Sequence, residues 1–422
     1  MPLVVVKLGA DASSLRETSA RHGARKSNGD LWVIYTRGAP GAHNVYCSVS
    51  VDGGATWNEE LVSTSGGDHI YTTIAIDAND DVHTAWTGKD YGVNIGIPNI
   101  QYRLKIGAVW QAVELVCDEP NDQYDPAICI DSANDAHLAW TGYHHGTFLG
   151  AVNAVYRKRT GGVWGAIELI TDINSFQTQP SITIDNTGKI HVAWRSKGFG
   201  VNVGWNNIKY KARNGAWGAI ESITDVAAVQ NTPCIALDSG EIPHITWAGY
   251  GWDAFATYNI EYINRIGGAW GAREAVTALN FDQRNSSVSL DAADDVNVCW
   301  DGKGWGGVPG QFNIQHRKRT IGVWGAVTSI TDRNFQEEGS NLIWARYPTA
   351  PQTNVPTLGF ALFIVGQIAG GYQIEYLASA DLAWPAGGGG NIAAVGGVAW
   401  ANIGKIKGVL KANIAQVAGV AV

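Results

Sequence analysis

Short apolar runs along this chain alternate with clusters of turn-forming residues, and the alternation itself recurs. A representative unit reads "PSITIDNTGKIHVAWRSKGFG" and then, after a short gap, "NNIKYKARNGAWGAIESITD". Its apolar positions recur every second residue in four places, near "SITID", "IHVAW", "NIKYKAR" and "WGAIESI". Gly, Asn and Asp separate these runs, so each reads as a β-strand with one or both faces packed.

The landmarks of the unit recur in step. Asp77, Asp131, Asp185, Asp238 and Asp291 are separated by 54, 54, 53 and 53 residues. Trp86, Trp140, Trp194, Trp247 and Trp300 keep the same spacing, and a second series runs Trp57, Trp110, Trp164, Trp217, Trp270 and Trp324. Four strands in each repeat of this length predict a blade of a β-propeller. Residues 20–62 read as a first, degenerate blade and residues 335–384 as a seventh, with the opening "LVVVKLG" placed to complete the last blade. The expected fold is all-β: a seven-bladed β-propeller over residues 1–384.

Beyond residue 384 the pattern changes. "PAGGGG" (385–390) reads as a hinge, followed over residues 391–422 by units of 11 residues marked by Asn391, Asn402 and Asn413 and by Gly397, Gly408 and Gly419. Eleven residues make about three helical turns, a spacing that favours a right-handed supercoiled helix. Glycine and β-branched residues weaken such a helix in isolation. The tail is therefore expected to order by packing on copies of itself or on a larger body.

Composition narrows the function. A formal net charge of -8 over 422 residues argues against a nucleic-acid binder, which needs clustered Lys and Arg. Hydrophobic residues make up 45% and charged residues 16%, enough for a sizeable core. Cys47, Cys117, Cys129, Cys234 and Cys299 are odd in number and form no CxxC pair, so they read as buried strand thiols, with neither a disulfide frame nor a metal site. No cofactor or metal is expected. The start carries no signal-peptide pattern, and no run reaches the roughly 18 apolar residues of a membrane span.

Two repeated columns of polar residues read as structural. His83, His137, His191 and His244, with Asn297 in the fifth place, lie inside strands, and the Asp77 series caps the turn that follows the first strand. Two sets of loops on one face around the channel carry more chemistry. The connections between units, such as "DEPNDQYDP" and "LNFDQRNS", contribute Tyr124, Gln177, Gln283 and Arg284. The longer Gly-rich loops between second and third strands contribute Tyr91, Tyr143, His144, Phe199, Trp205, Tyr250, Trp252 and Trp305. Aromatic faces beside amide and charged groups suit a carbohydrate, and these twelve residues form the candidate ligand face.

The octapeptide "SVDGGATW" (50–57) resembles the Asp box, or BNR repeat, of the sialidase-like superfamily through Ser50, Asp52, Gly54, Thr56 and Trp57. The resemblance implies a propeller in which this turn lies opposite the binding face, so the motif is structural. It also implies, for a hydrolase, three arginines on a carboxylate, a Tyr–Glu pair and an acidic acid/base. Arg21 and Arg284 are the candidates for two of the arginines; Arg346 follows its strand and points to the wrong face. Asp122, Asp125, Asp282 and Glu338 are spare carboxylates, Glu337 lies beside the last, and no spacing selects a catalytic pair. The tail resembles "NI-x-KI-x-GV" repeats at the ends of bacteriophage and virion-like structural proteins. Together these features lead us to expect a non-enzymatic module that binds a glycan or glycoprotein receptor. It would be displayed on a virion or extracellular surface, or else remain cytoplasmic, with residues 391–422 joining copies of the chain or docking it to a virion or cell-surface component. A sialidase-like glycoside hydrolase is the alternative reading, and a purely structural protein the second.

Overall fold

The computed structural model describes residues 4–10, 21–39, 41–63, 67–252, 254–334, 337–343, 361–368, 371–378, 394–395 and 398–399. Seven antiparallel sheets of four or five strands form a seven-bladed β-propeller, and a two-stranded sheet lies in the tail. Blade 3 shows the plan. Gln123–Ile130 lines the channel, Ala136–Gly142 and Asn153–Thr160 follow outward, and Val163–Trp164 with Glu168–Leu169 makes the edge. The expected fourth strand is thus two short pieces in blades 2–6, both paired to the third strand. The break is a turn in which Gly165 donates its N–H to the Lys158 carbonyl. The first blade keeps an unbroken edge strand, Asn58–Leu61. The last blade is completed by Val4–Ala10, which pairs antiparallel with Gly371–Ala378. This is the closure that the apolar opening of the chain suggested.

Alternation buries one face of every strand against the next blade. Ala85, Ile100 and Tyr102 of blade 2 share one cluster with Ile128, Leu138 and Trp140 of blade 3. The five periodic strand tryptophans are fully buried. Each buried Tyr on a third strand meets the outer Trp of the following blade edge-on, as Tyr102 meets Trp164 at 5.2 Å and Tyr156 meets Trp217 at 5.4 Å. The seam repeats the contact: Tyr376 of the last blade lies 5.3 Å from Trp57 of the first.

Polar groups lace the same interfaces. Glu114 on the edge of blade 2 accepts from Arg159 Nε (2.8 Å) and NH2 (2.7 Å) and from Trp164 Nε1 (2.9 Å), all in blade 3. Glu274 repeats this with Arg319 and Trp324. Within blades, His137 bridges Tyr156 Oη (2.7 Å) and Asp131 (3.0 Å), while Asp131 also takes the N–H groups of Ala133 and Asp135. The periodic histidines are buried and engaged in this way.

The Ser50–Trp57 turn joins the third and fourth strands of blade 1. Asp52 accepts from Ser50 Oγ, Thr56 N and Thr56 Oγ1, and these bonds draw its carboxyl down to about 2. Gly54 is required twice over: its φ is +96°, and a Cβ there would lie 2.0 Å from Tyr376. The turn therefore seals the ring seam.

Four of the cysteines are buried and Cys129 is half-buried, all as free thiols. Cys117 falls just past a strand, contrary to the strand reading. In the tail, Ala394–Val395 pairs with Val398–Ala399, so these residues form an extended antiparallel pair where a helix was expected. β-Branched residues favour that geometry. The rest of the tail, and the 385–390 hinge, lie outside the described residues.

Candidate functional site: the channel mouth

The sharpest features of the upper face are at the start of the inner strands. Each described inner strand of blades 2–6 carries a register shift there. At each shift one residue has a left-handed backbone: Tyr71 (φ 53°), Asp125 (53°), Gln179 (55°), Thr232 (48°) and Asn285 (52°). Non-glycine residues rarely adopt this conformation, and such bulges re-aim side chains at functional sites. The residue after each buried strand Trp adjoins this ring and also varies from blade to blade: Thr87, Thr141, Arg195, Ala248 and Asp301. These two columns break the repeat where the packing columns around them keep it.

The side chains form a connected arc. Thr141 Oγ1 donates to Asp125 at 3.1 Å and accepts the N–H of Gln179 at 3.1 Å. Arg195 donates to Thr178 Oγ1 (2.8 Å) and Asn231 Oδ1 (3.4 Å), and Asn231 donates to Tyr258 Oη (3.4 Å). Asn285 donates to the buried Asp301 at 2.8 Å. Aromatic rings flank the arc. Tyr71 meets Tyr124 edge-on at 5.9 Å and Tyr250 meets Tyr258 at 5.4 Å, while Arg284 lies over Tyr258 and Phe312. Burial raises the Asp125 carboxyl above the usual range, outweighing the Thr141 hydrogen bond and the Arg195 charge. Burial and Asp122, the acceptor of its 2.6 Å hydrogen bond, push the Tyr124 phenol up as well.

The twelve residues singled out from the sequence divide by position. Tyr124, Tyr250 and Arg284 belong to the arc, Arg284 paired with Asp282. Gln177 and Gln283 turn inward: both are fully buried and accept the indole N–H of Trp194 and Trp300 at 2.7 Å. Trp252 and Trp305 are half-buried and turn inward to Gln230 and Gln283, so they clamp loops where exposed platforms were expected. Tyr91 and Trp205 are exposed on the long loops, Tyr143 and Phe199 are half-buried there, and His144 pairs with Glu119 at 3.2 Å. Of the arginines, Arg21 lies within the channel and contacts the Ile235 carbonyl, whereas Arg284 sits at the rim; Arg346 lies outside the described residues. Glu337 and Glu338 open the inner strand of the last blade. Arg195, Thr141, Asn231, Tyr258, Asn285 and Asp301 escaped the reading of the sequence. For Arg195, Asn231, Tyr258, Asn285 and Asp301 the signal was a departure from the repeat, whereas Thr141 repeats Thr87 and carries none.

The class is a seven-bladed propeller whose polar mouth opens at the ends of its inner strands. No family model and no curated protein matches the chain. Its fold is similar to that of a polysaccharide lyase, the PL25 ulvan lyase bound to -[GlcA(1-4)Rha3S]-. That similarity has TM-score 0.60 at 13% identity, covering 89% of this chain and 95% of that one. It is also similar to polysaccharide lyase Uly1 (TM-score 0.53, 10% identity, 85% and 90% covered). A protein of unknown function from Dyadobacter fermentans aligns at TM-score 0.50 and 11% identity, over 73% and 93%. The chain thus shares its propeller fold with glycan-processing enzymes.

Proposed function

We propose that the chain recognises an acidic polysaccharide laid across the channel mouth. The observation that supports this is the arc of repeat-breaking residues, with Arg195 and Arg284 among Asp125, Thr141, Asn231 and Tyr258. Guanidinium groups offer paired donors to carboxylate or sulfate, hydroxyl and amide groups match sugar hydroxyls, and the tyrosines offer stacking faces. The lyase named above, with a uronate in its bound saccharide, is in keeping with this reading. A glycan array with acidic and neutral polysaccharides tests it. Binding to uronate- or sulfate-bearing chains that weakens with salt and is lost in Arg195→Ala supports the proposal; equal binding to neutral chains, or an unaffected Arg195→Ala, overturns it.

Display through the tail is part of the same proposal. A version ending at residue 384 is expected to keep single-site binding and lose avidity. A second reading, glycan cleavage, is favoured by Asp125, a carboxyl on the arc beside Thr141 that burial shifts upward, the direction a general acid needs. Release of reducing ends that stops in Asp125→Asn would establish it.

A further inference from the structure

The lower half of the channel has a different lining. Where inner strands face the axis, the residues are small: Ala24, Ala75, Cys129, Thr183, Ala236 and Ser289. They leave a cavity of about 210 Å³, walled by Ile76, Ile130, Ile184 and Leu290. Asn186, Asp238, Ser239 and Glu241, from turns on the face opposite the mouth, form its rim.

Arg21 closes the inner end. Its guanidinium crosses from the first blade to the fifth, where NH2 donates to the Ile235 carbonyl at 3.4 Å. Among the described residues, that long bond to a main-chain carbonyl is the one hydrogen bond of its five side-chain donors, and no carboxylate there pairs with it. It lines the same cavity as Cys129, Thr183, Ala236 and Ser289 from four other blades, which places it near the axis. The rim carboxylates are engaged elsewhere: Asp238 takes the N–H groups of Gly240 and Ile242 and meets His244, and Glu241 accepts from Asn186. Arg25, from the same blade, also lines the cavity, so two cations stand there against two rim carboxylates that are already engaged, and a half-buried guanidinium held by one long hydrogen bond is costly.

We propose that the lower channel is a second binding site, for a compact organic monocarboxylate, with its carboxylate on Arg21 and its body against the aliphatic wall. The apolar wall favours an organic body over an inorganic anion. Asp238 and Glu241 at the rim repel a second negative charge and so disfavour polyanions. The site is separate from the mouth and does not depend on the polysaccharide proposal.

Isobutyrate and its uncharged analogue isobutyramide are the probes, titrated calorimetrically into the full chain. Saturable isobutyrate binding, with isobutyramide at least tenfold weaker, is expected. Arg21→Gln should weaken isobutyrate at least tenfold. That substitution keeps the main-chain carbonyl that accepts Ile74 N (2.9 Å) and Thr73 Oγ1 (3.2 Å), which holds the segment in place. Ala75→Leu, which fills the channel from another blade, should also block binding, whereas Arg195→Ala at the mouth should leave it intact. The proposal is overturned by no saturable binding, by equal affinity for the amide, by full affinity in Arg21→Gln or Ala75→Leu, or by loss of binding in Arg195→Ala.

Discussion

Replacing Gln230 by Leu tests how the blades hold their loops. Gln230 is fully buried, and its carboxamide oxygen accepts two indole N–H groups, Trp247 Nε1 at 2.8 Å and Trp252 Nε1 at 2.7 Å. Its nitrogen donates to the Tyr250 carbonyl at 2.9 Å. Leucine has nearly the same volume, so the expected loss is polar. Trp247 is wholly enclosed, and stranding its N–H costs about 1–3 kcal/mol. Trp252 is half-buried and can turn toward water, and the lost carbonyl bond adds about 1 kcal/mol, so the total is about 2–4 kcal/mol. Guanidinium unfolding followed by tryptophan fluorescence measures it. Hydrogen exchange at residues 250–258 should rise at the same time, because the clamp fixes the loop that carries Tyr250 and Tyr258. A loss below about 1 kcal/mol with unchanged exchange would refute the argument that the shared oxygen anchors both tryptophans.

Other outcomes follow from the same contacts. Glu114→Ala strands Arg159 and Trp164 at the blade 2–3 interface; the pair is partly exposed, so about 1–2 kcal/mol is expected in denaturant unfolding. Burial lowers His191 to about 4 and His22 and His316 to about 3. Below the ordinary value near 6.5 the unfolded chain binds protons these folded sites refuse, so stability present above pH 6.5 should fall as pH drops toward 4, by up to about 1.4 kcal/mol per unit for each histidine. Thermal unfolding across that range measures it, and a flat profile would contradict the burial. Deleting residues 4–10 should lower the melting temperature far more than deleting residues 385–422, since only the former removes a paired blade strand.

The fold was legible because every blade solves the same packing problem with the same residues. Trp140 must fill an interface, Asp131 must cap a turn, and His137 must satisfy both Asp131 and Tyr156, so these types recur in step. The mouth is harder to read because residue type alone does not mark it. The aromatic loops include Trp252 and Trp305, which bend inward to buried glutamines. The periodic column Gln123, Gln177, Gln230 and Gln283 marks structure by its constancy. Arg195 and Asp301 mark the site by standing where other blades carry Thr or Ala. Side-chain direction at a bulge such as Asp125 depends on a left-handed backbone that no alternation pattern encodes.

The pairing of Val4–Ala10 with Gly371–Ala378 has a consequence for synthesis. Val4–Ala10 must wait without this partner until the six intervening blades and Gly371–Ala378 have been made. Until then the chain is an open arc with two raw edges, one at each end. A nascent chain arrested anywhere before residue 371 cannot latch, whatever the condition of its first six blades. Closure of the ring is thus a late event in synthesis, later than the pairing inside each of the first six blades.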